Sequence, residues 1–324
     1  MTASMYIVSG FLGAGKTTLI RKLLSEEFQG GRVVLVENDF GEVSVDAALM
    51  RSSGVEVAEL SSGCICCNIS GDFKKSLREL LLRYEPESVI IEPSGVGKLS
   101  EIADMCSDPS IAASAELKSK ITVVDAGRCR MYSDNFGEFF EDQIANADAV
   151  VLSRCEEYHD RLDDARALTR ELNGRCAIFA SPWPELDTAA LLSPADGAVR
   201  DGGACGCGAC GCGCSDDCPD GDEHHHSHGA ADVFNTVTVR SRREFDESEL
   251  SGAVAEMESG GGLLRAKGVL RGRDGGFWEL QYVPGELKIM RRASGNDDGV
   301  LCAVGHGLDR EKAALLFGGT PGDG

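Results

Sequence analysis

"GFLGAGKTT", Gly10 to Thr18, directly follows the apolar run "MYIVSG" and opens the helix-period segment "TTLIRKLLSEEF". It matches G-x-x-x-x-G-K-[ST] in the strand–loop–helix setting that gives this motif its meaning. Gly10, Gly13, Ala14 and Gly15 allow backbone N–H groups to face a phosphate, and the helix N-terminus adds positive potential there. Lys16 is expected to reach the β- and γ-phosphates. The Thr17 hydroxyl is expected to ligate Mg²⁺, with Thr18 beside it in the nucleotide site.

The surroundings agree with that reading. Apolar strand candidates begin at Met5, Val33, Val55, Ser88, Lys120, Ala149 and Cys176, and amphipathic segments such as "DFKKSLRELLLRY" lie between them. Strands apolar throughout and separated by helices predict a mostly parallel sheet covered on both faces. Residues 1–195 are therefore read as an α/β P-loop domain. Residues 196–232 carry almost no large apolar side chains and are read as a flexible linker rich in Cys and His. Residues 233–324 bring strands in close succession with two helices, the pattern of a small α+β domain.

Other nucleotide contacts follow from position. "IIEPSG" ends the strand from Ser88, so Glu92 is expected to handle Mg²⁺ or the attacking water, and the Gly95 N–H to sense the γ-phosphate. The alternative for Glu92 is a plain surface carboxylate. A guanine reader normally carries N-K-x-D after the strand "AVVLS"; here the stretch is "SRCE", Ser153 to Glu156. Glu156 is expected to accept from guanine N1–H and N2–H₂, and the Arg154 stem to stack on the ring. Ser153 lacks the amide that helps fix such a loop, so guanine preference is weakened and ATP stays a rival.

Composition sets limits. The 324 residues hold 32 Lys and Arg against 53 Asp and Glu, a net charge of −21. Such a surface repels phosphate backbones and anionic lipid, so neither nucleic acid nor a membrane is expected as a partner. No apolar run is long enough to span a bilayer. The N-terminus reads as a first strand and not a signal peptide. A cytoplasmic location is expected, where thiols stay reduced, and fourteen cysteines there favour metal binding over disulfides.

Taken together, "GFLGAGKTT", "ENDFGEV", "GCICC", "EPSG", "TVVDA", "QIANADAVVLS", "RAKGVL" and "GHGLDREKAALLF" resemble the CobW-like P-loop GTPases along most of the chain. The resemblance implies a G domain followed by a CobW C-terminal domain, and GTP hydrolysis with Mg²⁺ linked to delivery of zinc or cobalt to a client metalloprotein. A nucleotide-dependent dimer is kept open. Two rivals are a metal buffer or sensor with regulatory nucleotide binding, and an ATP-dependent activator of a metallo- or corrinoid enzyme.

Within "ELSSGCICCNISGDF", Glu59 to Phe73, three thiols fall within four residues. A Cys66–Cys67 disulfide is strained and out of place in a reducing compartment. Thiolates are soft ligands suited to Zn²⁺, Co²⁺ or Cu(I). In an extended strand Cys64 and Cys66 face one side and Cys67 the other, so a turn at Gly63 is needed for them to converge. Three thiolates leave one tetrahedral position open, for which Glu42 is the candidate. The linker offers Cys205, Cys207, Cys210, Cys212, Cys214 and Cys218, then His224, His225, His226 and His228, read as a collector that raises local metal concentration. Cys106, Cys129, Cys155, Cys176, Cys302, His159 and His306 are expected to be structural, and Lys267 to be a solvated strand charge.

Overall fold

A computed structural model describes residues 2–37, 56–59, 70–194, 199–201, 234–260, 262–292 and 298–321. The first domain is an eight-stranded sheet in the order β3-β2-β4-β1-β5-β6-β7-β8. Its strands are β1 (Ala3–Gly10), β2 (Val33–Glu37), β3 (Glu56–Glu59), β4 (Ser88–Glu92), β5 (Ala115–Asp125), β6 (Ala149–Ser153), β7 (Ala177–Ala180) and β8 (Val199–Asp201). Every pairing in it is parallel. The seven expected strands are all present. The eighth, β8, pairs with β7 inside the stretch that composition marks as linker. A short edge strand hydrogen-bonds on one side only, so it needs none of the long apolar pattern that identifies a central strand.

The sheet divides its side chains between two apolar layers, as period-two alternation requires. Met5 and Ile7 enter one layer with Val34, Val36, Val89 and Ile91. Val8 enters the other with Leu35, Ile90, Ile121 and Val123. Helix α1 (Lys16–Glu26) buries Leu19, Ile20, Leu23 and Leu24, the i, i+1, i+4, i+5 stripe that lies on one helical face. The opposite layer is covered by α2 (Ser70–Tyr84), α3 (Leu99–Cys106), α4 (Pro109–Ala112), α5 (Cys129–Ala145) and α6 (Leu162–Leu172). Helix α5 departs from helical geometry at Phe136, with φ −137° and ψ 29°. A short helix, α7 (Thr188–Leu192), packs beside α1.

The second domain is a sheet in the order β13-β12-β11-β14-β9-β15, antiparallel along that path. It comprises β9 (Asn235–Ser241), β10 (Glu244–Phe245), β11 (Leu263–Gly272), β12 (Phe277–Val283), β13 (Glu286–Arg292), β14 (Gly299–Gly305) and β15 (Gly319–Pro321). Helices α8 (Glu247–Ser259) and α9 (Arg310–Phe317) pack on it. Helix α8 opens with a capping box: Asp246 Oδ1 accepts from the Glu249 N–H at 2.8 Å, and Glu249 Oε2 accepts from the Asp246 N–H at 3.0 Å. Such a box satisfies two orphan donors and stabilises the helix by about 1 kcal/mol.

The two domains share a core. Phe234, the first described residue after the Cys/His stretch, meets Phe139 at 4.9 Å and Phe136 at 5.9 Å between ring centroids. Phe136 in turn stacks on Phe11 of the phosphate loop at 5.4 Å. Leu264 of β11 and Val304 of β14 join the same apolar layer.

Candidate functional site

The loop after β1 has the geometry expected of a phosphate cradle. Gly15 sits at the helix N-cap with φ 111°, a conformation that glycine adopts without strain. Lys16 is buried, and its Nζ donates to the Gly10 carbonyl at 2.9 Å and to the Phe11 carbonyl at 3.4 Å. The ammonium is thus held across the loop mouth. Thr17 is half-buried at the first turn of α1 and Thr18 is exposed. The indole of Trp183 lies against Gly15, 3.1 Å from the position a Cβ would take.

Glu92 ends β4 and is half-buried. Its register partner on β2 is Glu37, which is buried and also pairs in register with Glu59 of β3. Three carboxylate-bearing positions therefore line one edge of the sheet. Glu37 opens the stretch "ENDFGEVSVD", which lies where a nucleotide-sensing loop is expected, with solvated loop charges as the alternative; Glu37 itself is buried at the strand end. The loop after Glu92 is pinned to the phosphate loop, since a Cβ on Gly95 would fall 2.9 Å from the Leu12 amide nitrogen. Gln143 of α5 fixes the same loop by donating to the Gly95 carbonyl at 3.1 Å and the Gly97 carbonyl at 2.8 Å.

After β6 the chain forms a cavity of about 210 Å³ lined by Ser153, Arg154, Glu156, Ser181, Pro182 and Trp183, among others. This is where a base-reading loop belongs. Ser153 keeps the tie that an amide was expected to supply: its Oγ donates to the Ala14 carbonyl of the phosphate loop at 2.7 Å. Glu156 is exposed at the cavity and Arg154 half-buried. Arg154 holds a left-handed backbone, φ 57°. Ser181 and Trp183, from the segment after β7, escaped the sequence reading because nothing in "SPWP" marks it as a partner of a loop some thirty residues earlier.

Arg154 also reaches the second domain. Its guanidinium lies 2.7 Å from Glu286 Oε2 and 3.5 Å from Asp125 Oδ2. Arg128 meets the same two carboxylates, at 2.9 Å and 2.7 Å. Lys288 completes the cluster at 2.6 Å from Glu286 Oε1. These cations, Lys288 first, push the Glu286 carboxyl down to about 2. Hydrogen bonds to Glu286 and the charge of Asp125 raise Arg128 above its ordinary value, against the opposing effect of burial. Lys267 is a half-buried strand residue that lines a cleft between the domains with Gly13, Arg154 and Arg265.

Cys64, Cys66, Cys67, Glu42 and the linker ligands from Cys205 to His228 lie outside the described residues. What is fixed is where their segments depart: β3 ends five residues before Cys64, and β2 ends five residues before Glu42. Among the described residues, no three His, Cys, Asp or Glu side chains gather closely enough to hold a metal ion. No helix among them is long and apolar enough to cross a membrane. Cys106, Cys129, Cys155, Cys176 and Cys302 are free and buried, as expected of core residues. Burial pushes the Cys106 thiol up to about 12.

Residues 4–180 match the family model "CobW/HypB/UreG, nucleotide-binding domain", and residues 234–319 match "Cobalamin synthesis protein cobW C-terminal domain". Among curated relatives, "Zinc chaperone CobW" of Sinorhizobium sp is 35% identical over 178 residues, covering 46% of this chain and 50% of its own. "Zinc chaperone YeiR" of Escherichia coli (strain K12) is 30% identical over 168 residues, covering 52% and 51%. The solved structure of "Zn(II)-bound YjiA GTPase from E. coli" is 20% identical, covers 98% of each chain and superposes with a TM-score of 0.46. The chain spans about half the length of the curated relatives it matches. With a phosphate-loop motif at the end of β1, a cavity after β6 and both family models matched in order, the chain belongs to the CobW/HypB/UreG family and carries that family's nucleotide-binding domain followed by a CobW C-terminal domain.

Proposed function

We propose that this chain is a GTP-hydrolysing metallochaperone that holds zinc, or alternatively cobalt, on Cys64, Cys66 and Cys67 and passes it to a client metalloprotein. One observation carries the reading. The phosphate loop, the Glu92 loop and the segments leading to Glu42 and to the three thiols all leave the same edge of one sheet, in the strand order β3-β2-β4-β1. Adjacent strands lie about 4.8 Å apart, so the start of the thiol segment and the start of the phosphate loop are separated by roughly 14 Å. The zinc chaperones among its relatives point to the cargo.

In this mechanism Lys16 and the loop amides bind the phosphates, and Glu156 accepts from the guanine edge. Thr17 and Glu92 would hold Mg²⁺ through hard oxygen donors, and the ion would supply charge neutralisation to the bound phosphates. Gln143 holds the Gly95 loop where it responds to the γ-phosphate. Because Glu92 and Glu37 are register neighbours on the path to the thiol segment, the triphosphate and the metal bias one unit. Zinc is held tightly with GTP and released toward the client after hydrolysis. The linker from Ala204 to His228 gathers further metal.

The test is a chelator competition for zinc on a chain lacking residues 204–228, once with a non-hydrolysable GTP analogue and once with GDP. A difference of 5- to 150-fold that Cys66→Ser abolishes is the expected result. Equal zinc affinity in both nucleotide states would leave a metal buffer. Lys16→Ala is expected to lose most GTP affinity while the fold survives, and calorimetry with GTP and ATP decides the nucleotide.

A further inference from the structure

The second domain places one carboxylate, Glu286, in the interdomain cleft that Arg154 also lines. Glu286 begins β13, and the β12–β13 turn that carries it is seated on the phosphate loop: a Cβ on Gly13 would fall 2.6 Å from Val283 Cγ1. Gly13 has φ 74°, so glycine is required there both for the backbone and for this close approach. The turn has little freedom to sit elsewhere, and its position fixes where the Glu286 carboxylate lies.

Arg154 is the residue that Glu286 meets, and it stands between two cavities. It lines the base cavity with Ser153 and Glu156, and it lines the interdomain cleft with Gly13 and Lys267. Its left-handed backbone, φ 57°, carries a cost of about 1 kcal/mol or more that the surroundings must offset. Ser153 Oγ on Ala14 and the Arg154 carbonyl, which accepts from the Glu157 and Tyr158 N–H groups, hold that backbone. The guanidinium is held by charge. Two arginines, Arg128 and Arg154, share two carboxylates, Asp125 and Glu286. Asp125 is buried in the first domain and lies closer to Arg128, at 2.7 Å, than to Arg154, at 3.5 Å. Without the Glu286 charge, two cations would contend for one carboxylate, and Arg154, the more distant, would be displaced.

We propose that Glu286 is a positioning residue of the nucleotide site: the second domain, through Glu286, holds Arg154 where its stem can cover the base of a guanine nucleotide, so that nucleotide binding and docking of the β12–β13 hairpin favour each other. The ligand class is the purine nucleotide that the phosphate loop takes. The proposal rests on the nucleotide reading of that loop and adds a residue 132 positions beyond Arg154 in sequence. Linkage makes the effect reciprocal: whatever Glu286 adds to nucleotide affinity, bound nucleotide adds to hairpin docking.

The experiment is a titration of the full chain with a fluorescent GDP analogue, for wild type, Glu286→Gln, Arg154→Ala, the double variant and Arg292→Gln, the last as a control on the same hairpin away from the cluster. Glu286→Gln keeps the side-chain shape and removes the charge. It is expected to weaken GDP about tenfold, as loss of a charge-assisted contact predicts. Arg154→Ala should weaken it by a similar factor, and the double variant should be no worse than either single one. Arg292→Gln should leave affinity unchanged. Hydrogen exchange supplies the reciprocal readout: GDP should slow exchange across residues 277–292 in wild type and not in Glu286→Gln. Unchanged GDP affinity in Glu286→Gln, or losses that multiply in the double variant, overturns the proposal. A wild-type chain that binds no GDP overturns the nucleotide reading itself, a separate result.

Discussion

Ser153 shows how much one hydroxyl can replace. At the position where the base-reading motif carries an amide, the Ser153 Oγ donates to the Ala14 carbonyl and ties the base loop to the phosphate loop. A buried hydrogen bond of this kind contributes about 1 kcal/mol to the folded chain, so Ser153→Ala is expected to lower stability by about that amount and, by loosening the loop, to weaken GDP as well, both read by calorimetry. A second prediction concerns the thiols. Among the described residues five cysteines are buried, and for Cys106, Cys129, Cys155 and Cys176 burial raises the thiol above its ordinary range. A thiol reagent applied to the native metal-free protein should therefore spare Cys106, Cys129, Cys155, Cys176 and Cys302, and reach them in denaturant. A third follows from Glu286. Its carboxyl is held down to about 2, so its charge contributes stability that is fully present above the ordinary carboxylate value of 4.5 and is lost as pH falls through about 2. The stability gap between wild type and Glu286→Gln should be constant above about pH 4.5 and close toward pH 2 in urea titrations. The P-loop side chains were legible in the sequence because local spacing specifies them. Glu286 and Trp183 were not, because their roles come from contacts across long stretches of chain that no local pattern encodes.

At the scale of elements, the parallel sheet was legible because its central strands are apolar on both faces, a pattern that a loop cannot carry. β8 was not, since three residues at an edge leave no periodicity to read. Helix α5 illustrates a different limit. Its apolar stripe is plain, yet the break at Phe136 is set by what packs on it: Phe11 on one side and Phe234 on the other. The aromatic run Phe11–Phe136–Phe234 thus joins the phosphate loop to the point where the chain leaves the Cys/His stretch. Phe234 is buried against α5, and truncation of a buried phenylalanine typically costs about 3–5 kcal/mol. Phe234→Ala is expected to lower stability by that amount in urea titrations and to speed GDP release. A stability loss without any change in release would confine Phe234 to a packing role.

For the molecule as a whole, the division into two sheets does not divide the core. Leu264 and Val304 belong to the layer built on β1 and β4, while a separate cluster around Phe245 and Leu280 serves the second sheet alone. A shared layer and a shared ion cluster predict one cooperative thermal transition at neutral pH, checked by calorimetry; two resolved transitions would mean that the interface contributes little. The seating of the β12–β13 turn on Gly13 has a consequence in time. During synthesis the first sheet is complete at Asp201, and about 85 further residues precede Glu286. At roughly 5–20 residues per second, that interval lasts about 4–17 s. For those seconds the nascent chain has its phosphate loop and the cavity after β6 with no roof over Gly13. If the loop takes nucleotide as proposed, the order expected during synthesis is nucleotide first and hairpin docking second, so that the roof closes over a ligand already in place.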